Sequence, residues 1–176
     1  EIMIQGKYLG KKTKDDILRM TCEAVECAKS KGAKIIGVNA EDASRSDLDF
    51  LIKIAKEAKK CGAYRFRYCD TLGYEDPHTT YHRIYTIAKE TQMPIEMHFH
   101  NDLGMAVACS VQGALAAVEA VLAGAQVALL APTAILATQH FENLKKIFEP
   151  FKITVALLTG ASKNKTNLKA NIKNGN

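Results

Sequence analysis

His98 and His100 are the residues of this sequence best placed to do chemistry. They stand two apart, so on a β-strand both imidazoles leave the same face, and Glu96 points the same way. Paired imidazoles can clamp a divalent metal, although the spacing alone fits a pair of polar histidines at a barrel mouth as well. Asn101 and Asp102 follow directly and can orient the rings as acceptors. Two histidines do not complete a metal site, which needs further oxygen or nitrogen ligands. Two more polar clusters precede this one: Asn39-Ala40-Glu41-Asp42-Ala43-Ser44-Arg45 and Cys69-Asp70-Thr71-Leu72-Gly73. Arg65 and Arg67 flank Phe66 and share a strand face, turned either into a barrel mouth or to solvent. His78 and His82, one helical turn apart, read as solvent-facing.

The elements that must position these groups follow from hydrophobic period and caps. Helices are expected over 13–30, 46–60, 77–91, 103–122 and 134–148. The first carries a stripe of Ile17, Met20, Ala24, Val25 and Ala28, and the second opens on a Ser46/Asp49 capping box. Strands are expected over 34–38, 64–68, 94–99, 126–130 and 153–158. Strand-helix alternation with short loops implies an α/β fold with parallel pairing and right-handed crossovers. The expected architecture is a partial, half-barrel-like TIM barrel or an open flavodoxin-like sheet of about five strands. In either, chemistry gathers at the carboxyl ends of the strands. The three polar clusters stand at three such ends.

The run Glu96-Met97-His98-Phe99-His100-Asn101-Asp102-Leu103-Gly104-Met105-Ala106 carries a resemblance, with Ala40-Glu41-Asp42-Ala43-Ser44-Arg45 and Cys69-Asp70-Thr71-Leu72-Gly73. Together they resemble the homocitrate synthases, closest to the nitrogenase-associated bacterial type, within the wider group of isopropylmalate synthases and pyruvate-carboxyltransferase-like barrels. The resemblance runs over about residues 1–113. It implies a metal-dependent TIM-barrel acyltransferase that condenses acetyl-CoA, as co-substrate, with a small 2-oxo acid in a Claisen-type reaction. It implies His98 and His100 as ligands of Mg, Mn or Zn. Glu41, Thr71 and Glu96 become substrate-binding residues, with Asn101, Asp102, Asp42 and Arg45 in support. The group's first-strand Arg-Asp-Gly-Glu-Gln and late Gly-Glu-Arg-x-Gly-Asn motifs do not occur in these 176 residues. The resemblance therefore supplies two of the usual four protein ligands, and metal binding is expected to be weak. No certain catalytic residue can be carried over.

From about residue 114 the chain instead resembles the RecG-type ATP-dependent DNA helicases. The carrying residues are Gln126-Val127-Ala128-Leu129-Leu130-Ala131-Pro132-Thr133, Ile135-Leu136-Ala137-Thr138-Gln139-His140-Phe141 and Val155-Ala156-Leu157-Leu158-Thr159-Gly160. By that resemblance Thr133, Thr159 and Gly160 are candidate contacts to a nucleic-acid backbone. No Gly-x-x-x-x-Gly-Lys-Ser/Thr loop is present, which excludes ATP-driven unwinding by this chain alone. The expected organisation is a synthase-like segment, 1–113, and a helicase-like segment, 114–176, packed as one continuous α/β domain: a chimera.

Composition is consistent with a globular chain: 47% of residues are hydrophobic and 24% charged. No apolar run is long enough to span a membrane, and no signal-peptide pattern opens the sequence, so a cytoplasmic location is expected. The net charge is +5, and between Lys145 and Asn176 seven lysines face a single acid, Glu149. The five cysteines show no Cys-x-x-Cys spacing and read as reduced thiols. Three functional expectations follow: an acyltransferase segment of low or no activity alone, an inert chimeric fold, or a DNA-contacting fragment. A homo-oligomer is one way to cover the open strand edges of half a barrel.

Overall fold

The computed structural model describes residues 11–122, 133–152, 154–162, 166, 167 and 170. The chain divides into two compact units, Glu1–Ala128 and Leu129–Asn176.

The first unit opens with helix α1, Lys14–Ser30. Thr13 caps it reciprocally: its hydroxyl accepts from the Asp16 amide, and the Asp16 carboxylate accepts from the Thr13 amide at 3.0 Å. Strand β1, Gly37–Ala40, follows, and then a single 3-10 turn at Ala43–Arg45. Helix α2, Leu48–Cys61, leads into β2, Arg65–Asp70. Helix α3, Pro77–Thr91, leads into β3, Ile95–Phe99, and α4 spans Ala106–Leu122. The second unit contains α5, Ala134–Phe148, capped by Thr133, and a 3-10 turn at Glu149–Phe151.

The sheet is parallel, in the order β1-β2-β3, with Gly37 opposite Arg65, Arg67 opposite Glu96 and Cys69 opposite His98. Sequential order with right-handed crossovers places every connecting helix on the same face. Burial agrees. Phe66 and Tyr68 of β2 are fully buried in one core with Val25 of α1, Leu51 and Ile54 of α2, Ile84 and Ile87 of α3, and Ala116 of α4. A doubly wound sheet would reverse its order and cover both faces. The described strands therefore have the singly wound, barrel-like arrangement, and the α/β parallel expectation holds. The opposite face of the sheet is left to Asn39, Arg65, Arg67, Cys69, Glu96 and His98.

Several boundaries differ from the sequence reading. The first strand starts at Gly37, because Ile36 lies at the mouth of the ladder, its carbonyl accepting from the Tyr64 amide at 2.8 Å. Asp47, not Ser46, caps α2, its carboxylate accepting from the Asp49 amide; the Ser46 hydroxyl instead donates to the Asp42 carbonyl at 2.9 Å. Helix α4 starts at Ala106, since Gly104 has φ +74° and breaks the helical path. The strand expected over 153–158 is not formed: residues 154–158 have no regular structure, and the segment turns back through Ser162, whose hydroxyl donates to the Leu157 carbonyl at 3.2 Å. The strand expected over 126–130 lies outside the described residues.

The reduced-thiol reading also needs correction. Cys22 of α1 and Cys61 at the end of α2 are joined in a disulfide, with Cα atoms 5.5 Å apart. The sequence conceals it because the partners are 39 residues apart on different helices. Cys27, Cys69 and Cys109 remain free thiols. No helix among the described residues is long and apolar enough to cross a membrane.

Candidate functional site

The site grows from the pleat of three strands. Along β3, Met97 and Phe99 pack toward the helices, which leaves Glu96 and His98 on the opposite face. The rings of His98 and His100 stand 5.0 Å apart, edge to face, and both are solvent-accessible. Among the described residues no group of three or more His, Cys, Asp or Glu side chains forms a metal cage.

Glu41 and Thr71, at the ends of neighbouring strands, are brought together. The Thr71 hydroxyl donates to the Glu41 carboxylate at 3.3 Å and accepts from the Asp42 amide at 2.8 Å. One hydroxyl therefore staples the β1 loop to the β2 loop. Asp42 is fully buried with φ 58°, a left-handed conformation that Asp tolerates better than most residues. Its carboxylate takes a bidentate grip from Arg45, Nε at 2.8 Å and a terminal nitrogen at 2.5 Å. The Asp42–Arg45 pair thus lies within the loop that carries Glu41.

The Asn101 side-chain oxygen accepts from the Ala106 amide at 3.2 Å, at the start of α4. Asp102 lies against Gly73, where an added Cβ would come within 2.8 Å of the Asp102 backbone nitrogen. Among the described residues neither makes a hydrogen bond to an imidazole.

Two further groups lie outside the motifs, and Cys69, inside one of them, adds to the polar face. Arg65 and Arg67 turn onto the polar face rather than to open solvent. Glu96 lies between them, 3.0 Å from Arg65 Nε and 2.7 Å from an Arg67 terminal nitrogen. Only the Arg67 contact has hydrogen-bond alignment, so Arg65 Nε and Glu96 Oε2 are close but misdirected. The hydrogen bond to Glu96 holds the Arg67 guanidinium above its ordinary pKa. The alternation Arg65, Arg67, Cys69, Thr71 was the available signal. Beneath the strands, Tyr68 donates to the buried Glu75 carboxylate and accepts from Arg83 Nε at 2.8 Å. Arg83 also reaches the carbonyls of Ala43 at 2.7 Å and Ser46 at 2.5 Å. It braces the Glu41 loop from behind, and sequence spacing gives no sign of contacts made 37 and 40 residues away. Cys69, buried on the polar face, has its thiol pushed up to about 12 by desolvation and then by the Glu41 charge, so it stays protonated at neutral pH. It is no thiolate nucleophile.

In the second unit, the Thr133 hydroxyl caps α5 by accepting from the Leu136 amide at 3.2 Å. The Thr159 amide donates to the Ser162 hydroxyl at 2.8 Å, and Gly160 is exposed in the turn that follows.

Comparison with known proteins agrees with the first unit. A family model described as HMGL-like matches residues 2–128. A second model, DEAD/DEAH box helicase, matches residues 108–175 and overlaps the first along α4. Citrate (Re)-synthase of Dehalococcoides mccartyi is 52% identical over 65% of this chain and 28% of its own length. 2-Isopropylmalate synthase 2 of Caldanaerobacter subterraneus is 47% identical over 64% of this chain and 29% of its own. Homocitrate synthase 1 of Nostoc sp. is 45% identical over 44% of this chain and 21% of its own. The chain spans less than a third of each of these relatives. The family match covers the whole barrel-like sheet and every residue of its polar face, and on that ground the chain belongs to the HMGL-like family.

Proposed function

We propose that the first unit is a segment of a metal-dependent, Claisen-type acyltransferase barrel that seats a 2-oxo acid on the polar face of β1-β2-β3. The reading is supported by polar groups at the carboxyl ends of neighbouring strands. The His98 and His100 rings stand 5.0 Å apart at the end of β3, Glu96 shares that strand with His98, and Glu41 is joined to Thr71 just past β1 and β2. A divalent ion (Mg, Mn or Zn) held by the two imidazoles would supply Lewis-acid polarisation of the oxo group and its adjacent carboxylate. The Thr71 hydroxyl would donate to that carboxylate by turning its one proton away from Glu41. The Asp42 amide holds the hydroxyl oxygen in place, and the Asp42–Arg45 pair fixes the loop. Acetyl-CoA is the co-substrate implied by kinship with citrate, homocitrate and isopropylmalate synthases. These names span two acceptor classes, since citrate and homocitrate carry three carboxylates and isopropylmalate two. With two imidazoles as the metal ligands at hand, turnover by these residues alone is expected to be low or absent.

The test is binding. Calorimetric titration of Mn2+ should show weak uptake that tightens with 2-oxoglutarate, and both effects should disappear in His98→Ala and in His100→Ala. Absence of any 2-oxo-acid-dependent heat, at any metal concentration, would end the reading. The DEAD/DEAH match favours a second reading for the other unit, a DNA-contacting segment without ATPase activity that uses Thr133, Thr159 and Gly160.

A further inference from the structure

We propose that His78 and His82, on the outer face of α3, form a further metal site: a two-imidazole clip for a late first-row divalent cation, Ni2+, Cu2+ or Zn2+. The proposal does not depend on the acyltransferase reading, whose site lies on the opposite face of the sheet. Both histidines belong to α3 and stand four apart, so their side chains leave one face of the helix, one turn above the other. Cβ atoms at that spacing are about 5–6 Å apart, and two imidazoles can close on one ion between them, as helical His-x-x-x-His zinc ligands do. The direction of the face follows from what α3 must bury. Thr80, Ile84, Ile87, Ala88 and Thr91 turn toward the core, which leaves His78 and His82 exposed on the other side. The first turn is well formed: Pro77 opens it, and Asp76 accepts from the amides of His78 and Thr79 at 2.9 and 3.0 Å. Among the described residues neither imidazole makes a hydrogen bond or an ion pair, so the ring nitrogens are open to a ligand.

Charge and ligand chemistry choose the ion. A cation in the first turn meets the positive end of the helix dipole. The Asp76 carboxylate, in the same turn, opposes it. Bonds from the Thr79 hydroxyl and amide hold that carboxyl below the ordinary aspartate range, and His78 is near enough to act on it. Two nitrogen donors without a thiolate suit the ions that bind imidazole best, and affinity at such a site rises from Mn2+ through Ni2+ to Cu2+, with Zn2+ below Cu2+. Mg2+ and Ca2+ prefer oxygen ligands and are passed over. Water completes the coordination at this exposed position. An ion held there ties the entry turn of α3, the stretch between Glu75 and Arg83, which join α3 to Tyr68 and to the loop that carries Glu41.

Ni2+ is the probe. It is titrated calorimetrically at neutral pH into the full chain and into His98→Ala/His100→Ala, which silences the other histidine pair. That double variant should still take up one Ni2+. In the same background, His78→Ala and His82→Ala should each weaken the uptake at least about tenfold, because either change leaves a single imidazole. Both positions are exposed and Ala favours a helix more than His does, so the triple variants keep the fold, and melts without metal verify it. Ni2+ should raise the melting temperature of the double variant and leave that of each triple variant where it was, since an ion that binds only the folded pair stabilises by mass action. A double variant that takes up no Ni2+, or uptake that survives the loss of either helix histidine, overturns the clip. Neither result bears on the Mn2+-dependent binding of a 2-oxo acid that tests the acyltransferase reading.

Discussion

Glu75 is a carboxyl whose burial holds its pKa above the ordinary glutamate range, against the opposing pull of the Tyr68 hydroxyl and the Arg83 guanidinium. A folded-state pKa above the unfolded one means that the native chain binds the extra proton. Stability is then unaffected below about pH 4.3 and falls as the pH rises through the folded value. Glu75→Gln keeps an acceptor for Tyr68 and removes the charge. Its melting temperature should rise relative to the native chain as the pH climbs from 4 toward 7, and the two should converge in acid. Parallel pH profiles would show that Glu75 titrates normally. The lesson at this scale is uneven legibility. Glu96 and His98 share a face of β3 as strand alternation predicts, while His100 lies just past the strand's last residue, Phe99; Glu41 and Thr71 meet at neighbouring strand ends, where the motifs stand. Glu75, Tyr68 and Arg83 could not be read from the sequence, since their contacts depend on how α3 docks beneath β2, and a lone Arg on a helix surface usually faces water.

The elements were legible where local signals decide them and less so where partners do. Helix α3 begins at Pro77 because Asp76 accepts from the amides of His78 and Thr79, and Pro at the first helical position needs no hydrogen bond. All of that is local, so the boundary was read correctly. The onset of β1 and the missing strand at 154–158 depend on pairing with distant residues, which hydrophobic pattern does not report. The same limit hid the bond between Cys22 and Cys61, which ties α1 to α2 across 39 residues. Closing a loop of that length in the unfolded chain stabilises the native state by about 2–4 kcal/mol in the chain-entropy account. Urea unfolding with and without dithiothreitol should show a loss of that size, and Cys22→Ser/Cys61→Ser should match the reduced chain and ignore the reductant. Superimposable curves for the oxidised and reduced chain would deny the helix pair this tie.

At the scale of the whole molecule, charge is distributed by segment. The chain carries +5 overall, and seven of its lysines fall between Lys145 and Asn176, in the unit that follows residue 128. This is also the stretch that the helicase family model covers, while no phosphate-binding loop exists anywhere in the sequence to drive ATP hydrolysis. Contact with DNA would then be electrostatic and passive. Each phosphate neutralised by a lysine contributes a slope of about −0.9 to the logarithm of the binding constant against the logarithm of salt. Fluorescence anisotropy with a short duplex should therefore show weak binding at low salt that is lost as salt rises toward physiological levels. Replacing Lys163, Lys165, Lys169 and Lys173 with Gln should flatten the slope by up to about 3–4, if each lysine meets a phosphate. His98→Ala, on the other unit, should leave the slope unchanged. A salt-insensitive signal, or a slope that survives removal of the four lysines, would disprove the passive-contact reading and leave the 2-oxo acid face and the histidine pair of α3 as the functional surfaces proposed for this chain.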